Sequence, residues 1–160
     1  MSGGADEDHA PAPPPPPRGV VVCDASVAVA WLLPEPETPV ARRLAAGREA
    51  LIAPELLLLE VGNVLLTRLR RGATTPVPDA LLRDGLPEIR RGVALTPDAD
   101  LAEAALALGA RLLHPIYDCL YLALARREEA ALATFDRRLA ARAREAGVPL
   151  WSPQDAAAAT

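Results

Sequence analysis

The chain has 160 residues and a net charge of −4, a length that suits one domain burying roughly 70% of the surface its unfolded form exposes. Apolar residues make up 51% but aromatic ones only 3%, so an aliphatic core built largely by helix packing is expected. No apolar run reaches the ~18 residues that would span a bilayer, and the negative balance excludes a general pull toward nucleic acid, so any phosphate binding must be local.

Residues 1–18 hold Gly, Ala, three acids and a Pro run from Pro13 to Pro17. That composition favours extended polyproline conformation and cannot pack a core, so it is read as a disordered tail. The domain itself is expected over residues 19–152, with residues 153–160 a short C-terminal tail. Gly19 to Cys23 is a β-branched run without alternation, which suits a central parallel strand buried on both faces, and Asp24 closes it. Helices are expected from Ser26 to Leu33, stopped by Pro34, and from Pro39 to Gly47. Leu51 to Ala53 is strand-like. The longest helix runs from Glu55 to Arg71, ended by Gly72, and carries Glu60 and Asn63 on one face.

A turn cluster from Thr74 to Pro78 precedes a helical segment, Asp79 to Arg90, weakened by Gly85 and Pro87. Val93 to Leu95 is another short strand. Thr96 is expected to cap a helix that has Pro97 in its first turn and ends near Leu108. Pro115 opens a nearly all-apolar helix from Ile116 through Ala125, with His114 as the residue before it. Ala130 to Thr134 is a strand, Arg137 to Ala146 a helix stopped by Gly147, and Val148 to Trp151 a last strand. The alternation calls for an α/β fold, a three-layer α/β/α sandwich around a parallel sheet of mostly short strands.

Four acids stand out by position. Asp24 and Asp136 follow strand ends, where open α/β sheets bind ligands; Glu60 and Asp118 interrupt apolar helices. Asp118 either caps its helix from the first turn or converges with the other carboxylates on a cation. Acids gathered that closely must protonate or be compensated, and Mg²⁺, with its preference for oxygen ligands and retained waters, suits them. Asp98 and Asp100 are taken as acids complementing a helix N-terminus, Asp100 being a remote site candidate.

Other chemistries lack their signatures. There is no Gly-rich phosphate loop and no Lys for a receiver-type site, and Ser26 stands where a dehalogenase-type phosphatase carries a second Asp. Cys23, Cys119, His9 and His114 do not have zinc-ligand spacing. Both cysteines are read as small buried hydrophobes, and without a secretory leader or disulfide framework a reduced, cytoplasmic setting is expected. The Arg pairs are read mainly as solvated helix ends.

Four blocks together carry a resemblance. Val21-Val22-Cys23-Asp24-Ala25-Ser26, Pro54-Glu55-Leu56 through Glu60-Val61-Gly62-Asn63-Val64-Leu65, Tyr117-Asp118-Cys119-Leu120-Tyr121-Leu122-Ala123-Leu124-Ala125 and Ala133-Thr134-Phe135-Asp136-Arg137-Arg138-Leu139 resemble the signature blocks of the PIN domain, in its VapC toxin branch. They stand in the family's order and spacing, and the resemblance covers about Val20 to Leu150.

The resemblance implies a Mg²⁺- or Mn²⁺-dependent endoribonuclease, the toxin of a type II toxin-antitoxin pair. Asp24, Glu60, Asp118 and Asp136 match the acidic quartet, Ser26 and Thr134 its supporting hydroxyls, and Asn63 a polar position beside the second acid. Direct metal ligation is assigned to Asp24, Asp118 and Asp136, and contact with RNA phosphates to Arg137, Arg138 and Arg68. A cognate antitoxin and a second copy of the chain are the implied partners, with Trp31 a candidate for the dimer surface. The alternatives are a catalytically weak or inactive PIN-like module that binds RNA or protein, and a different acid-based phosphohydrolase on an α/β fold.

Overall fold

A computed structural model describes residues 19–71 and 77–153. The N-terminal tail, most of the C-terminal one, Gly72 and most of the Thr74 to Pro78 cluster lie outside the described residues. The elements run β1 (Val20–Cys23), α1 (Ala25–Leu32), α2 (Thr38–Ala45), β2 (Ala50–Pro54), α3 (Leu56–Arg71), α4 (Asp79–Gly92), β3 (Ala94–Thr96), a 3₁₀ turn (Asp98–Asp100), α5 (Ala102–Leu112), α6 (Ile116–Arg127), β4 (Ala131–Ala133) and α7 (Arg137–Glu145).

All the strand pairs are parallel, in the order β3-β2-β1-β4. The chain therefore steps outward on one side of β1 and returns on the other. That reversal between β1 and β4 is the switch point at which an open α/β sheet presents a crevice. Val22 and Cys23 are fully buried, as expected for a central strand. On one face lies α6, against β1, β2 and β4, paired with α5; helices α1 to α4 pack on one another, α3 meeting β2 and α4 meeting β3. The result is the three-layer α/β/α sandwich.

Three boundaries differ from the sequence reading. Thr96 ends β3, paired with Pro54, and its carbonyl accepts from the Glu55 backbone N–H at 2.9 Å. Pro97 and a 3₁₀ turn, Asp98–Asp100, follow it, and α5 begins only at Ala102, too far on for Thr96 to cap. The last strand contracts to one parallel bridge, Leu150 to Leu132, because Pro149 has no N–H to extend the ladder. Helix α4 runs unbroken through Gly85 and Pro87 to Gly92, held by its buried face of Gly85 and Ile89.

Two close approaches require glycine. A Cβ on Gly92 would stand 2.5 Å from the Trp31 ring, so Trp31 packs against α4 while staying only partly buried. A Cβ on Gly109 would stand 2.9 Å from the His114 carbonyl oxygen. The chain there makes a tight turn with Leu113 left-handed at φ 50°, and Pro115, extended at ψ 140°, starts α6 with Asp118 in its first turn.

Candidate active site

Two strand ends and two helices bring the acids together. Asp24, Ser26, Glu60, Asn63, Asp118 and Asp136 line one cavity of about 340 Å³, at the carboxyl ends of β1 and β4. No Arg or Lys is among its lining residues.

Asp24 leaves β1 and caps α1. Its Oδ2 accepts from the Ser26 hydroxyl at 2.6 Å, from the Ser26 N–H at 3.3 Å and from the Thr134 hydroxyl at 2.8 Å. Both hydroxyls also accept: Ser26 Oγ from the Phe135 N–H at 2.9 Å, and Thr134 Oγ1 from the Asp136 N–H at 3.0 Å. Each is thereby satisfied as donor and acceptor. Asp24 as a whole is 6% exposed. Burial pushes its carboxyl above the ordinary range, outweighing the hydrogen bonds from Ser26 and Thr134 that pull the other way.

Asp136 is the exposed member. It caps α7, its Oδ1 accepting from the Arg138 and Leu139 N–H groups at 2.7 and 3.3 Å. Helix capping is therefore real for Asp24 and Asp136. It is not the role of Asp118, whose helix has Pro115 at its cap and no side-chain cap bond. Asp118 Oδ2 instead lies 2.6 Å from Nε2 of His114, four residues earlier and just ahead of the helix. The sequence reading makes His114 only a loop or helix-entry residue, and no helical spacing signals the contact, since His114 lies outside α6.

Glu60 stands on α3, whose first turn is capped from elsewhere: Asp98 Oδ1 accepts from the Leu56 N–H at 3.0 Å. Asp98 thus serves α3, not the helix that follows it in sequence. Tyr121 donates to Glu60 Oε2 at 2.5 Å, a second contact that the sequence reading missed. Burial pushes the Glu60 carboxyl up; the Tyr121 hydrogen bond opposes this, and Asp24, Asp118 and Asp98 add to it by repulsion.

Asn63 stands exposed at the rim, one turn beyond Glu60 on α3. Arg137 and Arg138 are exposed in the first turn of α7. Cations there oppose the helix dipole, so the dipole does not account for them. Arg68 is ion-paired with Glu35, roughly 12 Å along α3 from Glu60 at the usual helical rise. Cys23 and Cys119 are buried free thiols, as expected. A larger hollow, about 560 Å³, lies beside α5 and the end of α6. Its polar lining is Arg111, Arg126, Arg127 and Asp100, so Asp100 belongs there and not with the acids.

The sequence matches the family described as the PIN domain over residues 21–145. Ribonuclease VapC3 of Pyrobaculum aerophilum is 30% identical over 120 residues, which cover 75% of this chain and 92% of that protein. The crystal structure of PAE2754, also from Pyrobaculum aerophilum, superposes with a TM-score of 0.60 at 23% identity, covering 76% of this chain and 78% of that one. VapC20 of Mycobacterium tuberculosis, described as a sarcin-ricin loop cleaving toxin, does so with a TM-score of 0.59 at 19% identity, covering 76% and 93%. These two structures establish likeness of fold, and the sequence match establishes kinship: the chain belongs to the PIN domain family, in its VapC-type branch.

Proposed function

We propose that this protein is a divalent-metal-dependent endoribonuclease and the toxin of a toxin-antitoxin pair. The observation that carries the proposal is the convergence of Asp24, Glu60, Asp118 and Asp136 on one cavity with no basic lining residue. Such a site is anionic, and its chemistry needs a cation before an RNA phosphate can approach.

The donor set fits Mg²⁺ or Mn²⁺, since every acid lining the cavity is an oxygen donor. Among the described residues no group of three or more His, Cys, Asp or Glu side chains is placed so that it could hold a metal ion directly. Mg²⁺ keeps several of its waters, and carboxylates too far apart to ligate it directly would hold it through them. Asp24, Asp118 and Asp136 would hold it; when bound, it supplies charge neutralisation and a water acidified for attack on phosphorus. Glu60 would orient the attacking water. Ser26 and Thr134 hold Asp24 in place, and Arg137 and Arg138 neutralise phosphates at the mouth, with Arg68 a lesser contributor because Glu35 holds it.

The partners follow from the same site. A toxin must be restrained in its own cell, and an antitoxin segment bearing basic side chains would complement the acidic cavity. A second copy of the chain would cover Leu113 and Tyr117, which are 90% and 61% exposed beside the start of α6. Among the described residues no helix is long and apolar enough to cross a membrane, and action on RNA in the cytoplasm is part of the proposal.

The test is cleavage of structured RNA by purified protein with Mg²⁺, with Mn²⁺ and with chelator, comparing wild type with Asp24→Asn and Asp118→Asn. Metal-dependent cleavage by wild type alone is expected. Undiminished cleavage by Asp24→Asn sinks the mechanism.

A further inference from the structure

We propose that Tyr121 is a positioning residue of the hydrolytic site, holding Glu60 toward the acidic cavity through a hydrogen bond from α6 to α3. The inference rests on the nuclease reading and adds to it a residue outside the acidic set. Tyr121 is fully buried. Its hydroxyl donates to Glu60 Oε2 at 2.5 Å, and among the described residues this is the one hydrogen bond of either side chain.

A buried phenol needs a partner, and Phe at this position would fill nearly the same space with no polar group to satisfy. The hydroxyl is spent on a carboxylate. Asp118 and Tyr121 are three residues apart on α6, so they share a helix face. That face presents one acid to the cavity and grips a second.

Glu60 needs the grip because its charged neighbours all repel it. Asp24, Asp118 and Asp98 act on it as like charges, and a Glu side chain has several torsions through which to swing outward. The neutral phenol offsets this without bringing in a cation that would compete for the site. With one oxygen fixed, the carboxylate keeps one orientation toward the nucleophilic water.

The experiment uses the full chain and Mn²⁺ alone as the binding probe, with RNA cleavage as a second readout. Tyr121→Phe keeps the ring and should keep the native circular dichroism spectrum. Its Mn²⁺ affinity by calorimetry, or its kcat, should fall by about tenfold, the lower end for outer partners of metal sites, with KM for RNA unchanged. In a Glu60→Ala background, which removes the acceptor, Tyr121→Phe should cause no further loss of Mn²⁺ affinity, because the effect passes through Glu60. Wild-type Mn²⁺ affinity and kcat in Tyr121→Phe, or an equal further loss in the Glu60→Ala background, would overturn the positioning role. Wild-type behaviour of both Glu60→Gln and Asp24→Asn would instead overturn the nuclease reading beneath it.

Discussion

Thr134 donates to Asp24 Oδ2 at 2.8 Å across 110 residues of sequence, while its oxygen accepts from the Asp136 N–H at 3.0 Å. One hydroxyl therefore ties the acid at the end of β1 to the loop that delivers the acid after β4. Ser26 repeats the arrangement through the Phe135 N–H. The spacing of two site carboxylates is set by these two hydroxyls.

Thr134→Val keeps the side-chain volume and removes that tie. It leaves the Asp136 N–H without its acceptor and Asp24 with one donor fewer. RNA cleavage should fall by about tenfold, the lower end for groups that orient a metal ligand. Stability should fall by about 1 kcal/mol for the lost hydrogen bond. Single-turnover kinetics and urea denaturation measure the two effects.

Asp24→Asn should separate stability from activity. Burial raises the Asp24 carboxyl pKa in the folded protein, so the fold binds this proton more tightly than the unfolded chain does. The group's contribution to stability is present below the ordinary carboxylate range and is lost as pH rises through the raised value. At neutral pH without metal the buried charge is a cost that Asn removes. Thermal scans should show metal-free Asp24→Asn melting above wild type at pH 7, with the gap closing toward pH 4. Added Mn²⁺ should raise the wild-type midpoint by mass action and leave the variant unmoved.

Metal affinity should also depend on pH. Asp24 and Glu60 both hold their protons more tightly than ordinary carboxylates, and a bound cation must displace those protons. Mn²⁺ affinity should therefore weaken on acidification beginning above the usual carboxylate range, and calorimetry in two buffers of different ionisation enthalpy should detect proton release. An affinity flat down to about pH 4 would contradict the raised pKa values.

Asp98→Ala tests the cap on α3. Losing the 3.0 Å bond to the Leu56 N–H should cost about 1 kcal/mol, partly offset because a negative charge that repels Glu60 is also gone. Asp98→Asn should retain most of the cap, and urea midpoints of the two variants make the comparison.

Arg137→Gln together with Arg138→Gln should weaken RNA binding without altering the acids. For a single strand each lost phosphate contact lowers the slope of log affinity against log salt by about 0.7, so the pair should lower it by about 1.4. Binding is measured in the Asp118→Asn background to prevent cleavage. An unchanged slope would return both arginines to a solvated surface role.

Much of the fold was legible because it is written in local chemistry. The unalternating Val run of β1, the prolines that open or stop helices and the strand-helix alternation are properties of adjacent residues, and most elements formed within a few residues of their expected places. Failures came where sheet pairing overrode local preference. Thr96 looks like an N-cap until β2 claims it as a strand end, and Val148 to Trp151 looks like a strand until Pro149 limits it to one bridge.

The sequence by itself determined the inventory: four isolated acids on an aliphatic α/β framework, two hydroxyls beside them, and no rival cofactor motif. Only the tertiary structure decided the partners. Thr134 with Asp24, Tyr121 with Glu60 and Asp98 with Leu56 meet across 110, 61 and 42 residues. These meetings depend on the strand order β3-β2-β1-β4 and on how α6 lies across the sheet. A hydrogen bond needs its atoms within about 3 Å, and no periodicity of a single element carries that information from one element to another.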